Sequence, residues 1–124
     1  MEMKYIFWKS LREEHMEKRS FGDFGEEMAA QYLRRQGYAI LARNYRCRFG
    51  ELDVIAEQGD ELVICEVKTR ASDAYGYPAE AVGRRKMKSI RSAAKYFVSA
   101  AGMTDKKMRF DIIEIYLNQI EGAF

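Results

Sequence analysis

Two strand-forming segments joined by a two-residue turn constrain this chain more than anything else in it. Glu51-Leu-Asp-Val-Ile-Ala-Glu57 alternates polar and apolar residues with the period of a strand, and Glu61-Leu-Val-Ile-Cys-Glu-Val-Lys-Thr69 is rich in Val and Ile. Between them, Gly59-Asp60 suits a hairpin loop, because glycine at the first central position takes positive φ without steric penalty. Counting outward from the loop opposes Gln58 with Glu61, Ile55 with Ile64, Asp53 with Glu66 and Glu51 with Lys68. Opposed residues share a face. One face therefore carries Asp53, Glu66, Lys68 and Glu51 beside Ile55 and Ile64. The other presents Leu52, Val54, Ala56, Val63, Cys65 and Val67, and is core.

Two carboxylates opposed in the middle of a sheet repel each other, so something must compensate. A hard divalent cation does this naturally: Mg²⁺ prefers carboxylate oxygens, keeps several waters and shares its remaining positions with phosphate. Such a cation polarises a scissile phosphate and lowers the pKa of a bound water, while a lysine nearby orients that water or stabilises developing charge. The plainer reading of the same residues is a solvated acidic face with a Glu51–Lys68 ion pair across the strands. A further carboxylate source lies upstream, in a helix near 22–36 that stops at Gly37. There Phe21, Met28, Ala29, Tyr32 and Leu33 share an apolar arc; Glu26 projects at its edge toward the acidic patch, and Glu27 points outward with Arg34.

The run Gly25-Glu26, Ala29-Ala30, Tyr32-Leu33, Gly37-Tyr38, Ile40-Leu41, Asn44, Arg46, then Gly50-Glu51-Leu52-Asp53, Glu66-Val67-Lys68-Thr69-Arg70, Pro78-Ala79-Glu80-Ala81-Val82 and Arg109-Phe110-Asp111 resembles the YraN, or UPF0102, family. That family is assigned to the PD-(D/E)XK nuclease superfamily and is similar in core to archaeal Holliday-junction resolvases. The resemblance covers roughly residues 21–117 and implies a restriction-endonuclease-like core. It implies Asp53 and Glu66 as metal ligands and Lys68 as the catalytic lysine, with Glu26 matching the first-helix glutamate that assists the metal site in resolvase-like members. Because resolvases cut as dimers, it also implies a homodimer. Residues 1–20 extend beyond the usual start.

At 124 residues the chain is one domain of ordinary size, able to build a core without disulfides. Two cysteines and one histidine cannot make a four-ligand zinc site, and the apolar run Tyr5-Ile-Phe-Trp8 is too short for a signal-peptide core or a membrane span. A cytoplasmic protein with reduced thiols and no membrane association is the expectation. A net charge of +2 says little, but its distribution says more. Arg43, Arg46 and Arg48 precede the acidic strand and Arg70 follows Lys68. Arg84, Lys88, Arg91 and Lys95 recur at helical spacing, a stripe suited to a phosphate backbone, and Lys86 can contact phosphate or assist the site. A solvated helix face is the plain alternative.

The expected order is a short capped helix near 11–19, the helix near 22–36, strands near 39–46, 50–57 and 61–69, a helix near 79–101 and a strand near 108–117. Helix, three-strand meander, helix, strand makes an α/β fold in which a mixed sheet is flanked by helices, the last strand parallel to a sheet neighbour. Residues 1–20 form an N-terminal extension and 21–124 the nuclease-like domain. Tyr75 and Tyr77 fall in a loop at 70–78, where they either anchor the loop or stack on bases, and Arg109 with Asp111 reads as a structural ion pair. The functional expectation is a Mg²⁺- or Mn²⁺-dependent endonuclease acting on structured or branched DNA. The alternatives are a nucleic-acid-binding module with the nuclease fold and little cleavage of its own, and an interaction subunit docking through its N-terminal aromatics.

Overall fold

The structure is a computed structural model that describes residues 22–70 and 83–124. The expected helix at 11–19, Tyr5, Phe7, Trp8, Tyr75 and Tyr77 lie outside these residues. Helix α1 (22–35) leads into β1 (Ala39–Cys47), β2 (Gly50–Gln58) and β3 (Glu61–Arg70); α2 (Arg84–Ala101) and β4 (Lys107–Tyr116) complete the order. The sheet runs β1-β2-β3-β4, the first three strands antiparallel and β4 parallel to β3. The α/β architecture is therefore the expected one, a mixed sheet with helices on both faces. Among the described residues, no helix is long and apolar enough to cross a membrane.

The hairpin forms as its turn dictates. Gly59 takes φ 60°, and the ladder runs from Gln58↔Glu61 through Ile55↔Ile64 to Val54↔Cys65. Beyond Cys65 the two strands part, at the level of Asp53 and Glu66.

Each face of the sheet has its own core. Helix α2 buries Ile90, Ala93, Ala94 and Val98, a helical stripe, against Leu52, Ile55, Leu62 and Ile64. The Tyr45 and Phe97 rings meet edge to face, 5.2 Å between centroids. On the opposite face Leu33 of α1 closes over Val54, Ala56, Val63 and Cys65. Burying each of the larger aliphatic side chains contributes about 1.5–3 kcal/mol.

Two expectations about faces need correction. Leu52 packs beneath α2 with Ile55 rather than on the Val54 face. Ala42 and Tyr45 on β1, also three residues apart, lean on the same cluster. Strict alternation fails in both strands at one level, where the pairs Arg43↔Val54 and Tyr45↔Leu52 place Asn44 across from Asp53. Asn44 has φ 52°, a left-handed conformation that asparagine tolerates better than most residues, and it reorients the strand there. On α1, Met28 and Tyr32 are 42% and 53% exposed instead of lying in the apolar contact. The helix meets the sheet through its small residues: Gly25, Ala29 and Ala30 are buried, and a Cβ on Gly25 would collide with the Thr69 hydroxyl. That close approach seats α1 low on the sheet and leaves the larger side chains at its flank.

Candidate active site

The parting of β2 and β3 creates the site. Where the ladder stops, the Asp53 side chain takes over from the backbone: its Oδ2 accepts the Val67 N–H at 2.8 Å. Glu66, the next residue back along β3, is the buried charged residue of the described core, 5% exposed. Its Oε2 lies 3.5 Å from Lys86 Nζ, whereas Oε1 is buried without a hydrogen-bond partner among the described residues. Burial pushes the Glu66 carboxyl up to about 7, and the charge of Asp53 and a hydrogen bond to its carboxylate push the same way; Lys86 and a hydrogen bond from the Asp53 backbone oppose them. Two carboxyls that close hold a proton between them or need a cation.

Lys68 lies beyond Glu66 on the same strand. Its pKa is lowered, first by a hydrogen bond with Lys86 for which the neutral amine serves as acceptor, then by burial and the charge of Lys86. The same contact raises Lys86. Glu51 pairs with Arg46 at 3.4 Å rather than with Lys68, so the plainer reading of this face as a Glu51–Lys68 ion pair is not what forms.

Glu26 reaches this level from α1. Burial and the charge of Asp53 raise its pKa, against a hydrogen bond from Asn44 that lowers it. Among the described residues, no group of three or more His, Cys, Asp or Glu side chains could together hold a metal ion. The charge of Asp53 acts on both Glu66 and Glu26, and Glu26 is hydrogen-bonded by Asn44. Glu27 is exposed, as expected, and pairs with Arg43 of β1 at 2.6 Å.

The basic residues divide into two sets. Arg84, Lys88, Arg91 and Lys95 line one shallow groove along α2, with Met87 and Ser92, and none forms an ion pair with another described residue. Met87 and Arg91 also border a cavity of about 340 Å³ walled by Ile64, Glu66, Ile90, Phe110, Asp111 and Ile112, so the groove runs into the space beside Glu66. Arg70, by contrast, is held at 3.2 Å by Glu114, its side chain 12% exposed. Arg46 is well exposed at the β1 rim. Arg109 donates to Asp111, to Glu61 at 2.8 Å and to the Tyr38 hydroxyl at 2.7 Å, the structural pairing expected of it. Both cysteines are free; burial pushes the Cys65 thiol up to about 12, which leaves it inert.

The family model described as "Uncharacterised protein family UPF0102" matches residues 25–115. The chain belongs to UPF0102. It is 45% identical over 103 residues to a UPF0102 protein of Caldicellulosiruptor saccharolyticus, covering 83% of this chain and 87% of that one. A UPF0102 protein of Clostridium acetobutylicum is 45% identical over 110 residues, 89% of this chain and 90% of its own. One of Clostridioides difficile is 41% identical over 114 residues, 88% of this chain and all of its own. The UPF0102 match spans Glu26, Asn44, Asp53, Glu66, Lys68 and Lys86, so the whole site lies within it.

Asn44 carried no specific role in the sequence, though it was legible by the register count that found Asp53: the tight turn between Cys47 and Gly50 sets 44 across from 53. Lys86 was expected to contact phosphate or assist the site, and the structure sets it beside Glu66, to which no local pattern brings the first turn of α2.

Proposed function

We propose that this protein is a metal-dependent endonuclease that hydrolyses phosphodiester bonds in DNA, structured or branched DNA being its preferred substrate. The observation that carries this reading is Glu66: a buried carboxyl whose Oε1 has no hydrogen-bond partner among the described residues, beside Asp53 and Lys86. An orphaned buried acceptor in a repelling carboxyl pair fits a hard divalent cation, Mg²⁺ or Mn²⁺, held by Asp53 and Glu66 with Glu26 as auxiliary. When bound, that ion supplies Lewis-acid polarisation of the scissile phosphate and a water of lowered pKa.

The chain's own residues do the rest. The Val67 N–H fixes the Asp53 carboxylate in place before any substrate arrives. Lys68, its pKa lowered, is more often in the neutral form that can accept the proton of the attacking water than an ordinary lysine is. Lys86 keeps an ammonium beside Glu66, where charge accumulates on the phosphate oxygens. Arg84, Lys88, Arg91 and Lys95 bind the backbone along α2 and lead it to the cavity beside Glu66; between 84 and 101 there is no acidic residue to repel it. The likeness to resolvase cores supports a branched substrate.

The test is cleavage of linear, nicked, flapped and four-way DNA with and without Mg²⁺ or Mn²⁺. Wild type should cut in a metal-dependent way, while Asp53→Ala and Lys68→Ala bind DNA but do not cut it. Cleavage by either variant at the wild-type rate would sink the assignment. Tight, salt-sensitive binding with no metal-dependent turnover would move the protein to the binding-module reading.

A further inference from the structure

β4 ends the sheet, and among the described residues nothing pairs with its outer edge. The Lys107 N–H donates to the Asp60 carbonyl and the Leu117 N–H to the Arg70 carbonyl, each at 3.0 Å. Odd-numbered residues of β4 thus turn their backbone groups toward β3. The even-numbered ones, Met108, Phe110, Ile112 and Glu114, turn theirs to the open edge. No register shift interrupts the strand between Lys107 and Tyr116, and it contains no proline. Apolar side chains flank the edge on both faces. Phe110 and Ile112 are 42% and 39% exposed on the α2 face, and on the α1 face Ile113 and Ile115 floor a groove shared with Met28 and Tyr32. A long, straight, apolar edge is a template for another strand.

We propose that β4 pairs antiparallel with β4 of a second copy of this chain, about a two-fold axis at Phe110. The charge pattern of the strand selects both the partner and the register. Centred on Phe110, Arg109 stands opposite the partner's Asp111 and Met108 opposite the partner's Ile112, each pair occurring twice by symmetry. An axis at Arg109 or at Asp111 sets like charges face to face. An axis at Ile112 sets Phe110 against the partner's Glu114 and Arg109 against the partner's Ile115. Phe110 carries outward backbone groups, so in the chosen register it exchanges both hydrogen bonds with its symmetry mate. The Arg109–Asp111 pairs of the two chains then meet in one ionic network on the α1 face. Because the axis runs along the sheet normal, both α2 helices, with their Arg84–Lys95 stripes, come to the same side of a continuous sheet.

Sedimentation equilibrium of the full chain, free of metal and nucleic acid, tests this. Wild type should weigh twice the 14.5 kDa of the chain. Phe110→Lys, which sets two ammonium groups opposite each other, should halve that mass with its circular dichroism unchanged. Phe110→Cys should cross-link to a covalent dimer on oxidation, since Cα atoms of a hydrogen-bonded pair stand about 5.5 Å apart, within disulfide reach; wild type should not. The cross-link reads the interface even if the lysine variant fails to fold. A wild-type monomer at high micromolar concentration, or a dimer that neither Phe110→Lys disrupts nor Phe110→Cys cross-links, overturns the proposal. If that monomer dimerises once residues 1–20 are removed, the edge belongs to the chain's own N-terminal segment instead.

Discussion

Glu66 Oε2 sits 3.5 Å from Lys86 Nζ, and the other oxygen of the same carboxyl has no hydrogen-bond partner among the described residues. Lys86 thus neutralises one half of this carboxyl. Asp53 is similarly divided, one oxygen committed to the Val67 N–H. The pair is oriented by the fold and electrostatically incomplete, a combination that marks functional sites more often than structural ion pairs.

That incompleteness has a pH signature. Glu66 is raised from 4.5 to about 7 in the folded chain, so folding takes up a proton between those values. The stabilisation is fully present below about pH 4.5 and is lost as pH rises through about 7. Thermal melts of the metal-free protein should show wild type falling behind Glu66→Gln across that window. A difference that stays flat with pH would place the titration elsewhere.

Gly25 couples α1 to the site. Its missing side chain lets the helix sit against Thr69, one residue past Lys68, and so brings Glu26 to the level of Asn44 and Asp53. Gly25→Ala should destabilise the fold by about 1–3 kcal/mol, the usual range for overpacking. Adding Thr69→Ala, which removes the obstructing hydroxyl, should recover most of that loss in denaturant unfolding. Equal losses in the single and double variants would show that the close approach is not responsible.

The hairpin was legible as far as Val54 and Cys65 because a two-residue turn fixes register by counting; the count carried the ladder on to Asp53 opposite Glu66 and Glu51 opposite Lys68, where the strands in fact part and the Asp53 side chain takes the Val67 N–H. Leu52 was misplaced because the count takes no account of a left-handed Asn44 on the neighbouring strand. Met28 and Tyr32 were assigned to a contact that α1 makes through glycine and alanine, since a helical wheel ranks residues by hydrophobicity and not by how closely two backbones approach. Arg70 looked like a phosphate ligand, yet its partner Glu114 comes from the parallel strand β4, which no local pattern specifies. The stripe on α2 was legible in full from helical spacing, but its junction with the cavity beside Glu66 required the structure.

The stripe should bind by counter-ion release. Replacing Arg91 and Lys95 with alanine removes two cations that line the α2 groove. The slope of log affinity against log salt should fall by about 1 for each phosphate that is no longer neutralised, uniformly across DNA sequences. Fluorescence anisotropy of a labelled oligonucleotide over a potassium chloride series reads this directly. An unchanged slope would mean the nucleic acid tracks another surface.

The proposed chemistry turns on a divalent cation held by Asp53 and Glu66. Isothermal titration of Mn²⁺ and Mg²⁺ into wild type, Asp53→Ala and Glu66→Gln near neutral pH addresses it without any assumption about substrate. Wild type should bind with proton release as the Glu66 carboxyl gives up its proton, and both variants should lose the heat of binding. Binding of equal strength in wild type and both variants, or none in wild type even with DNA present, would contradict it.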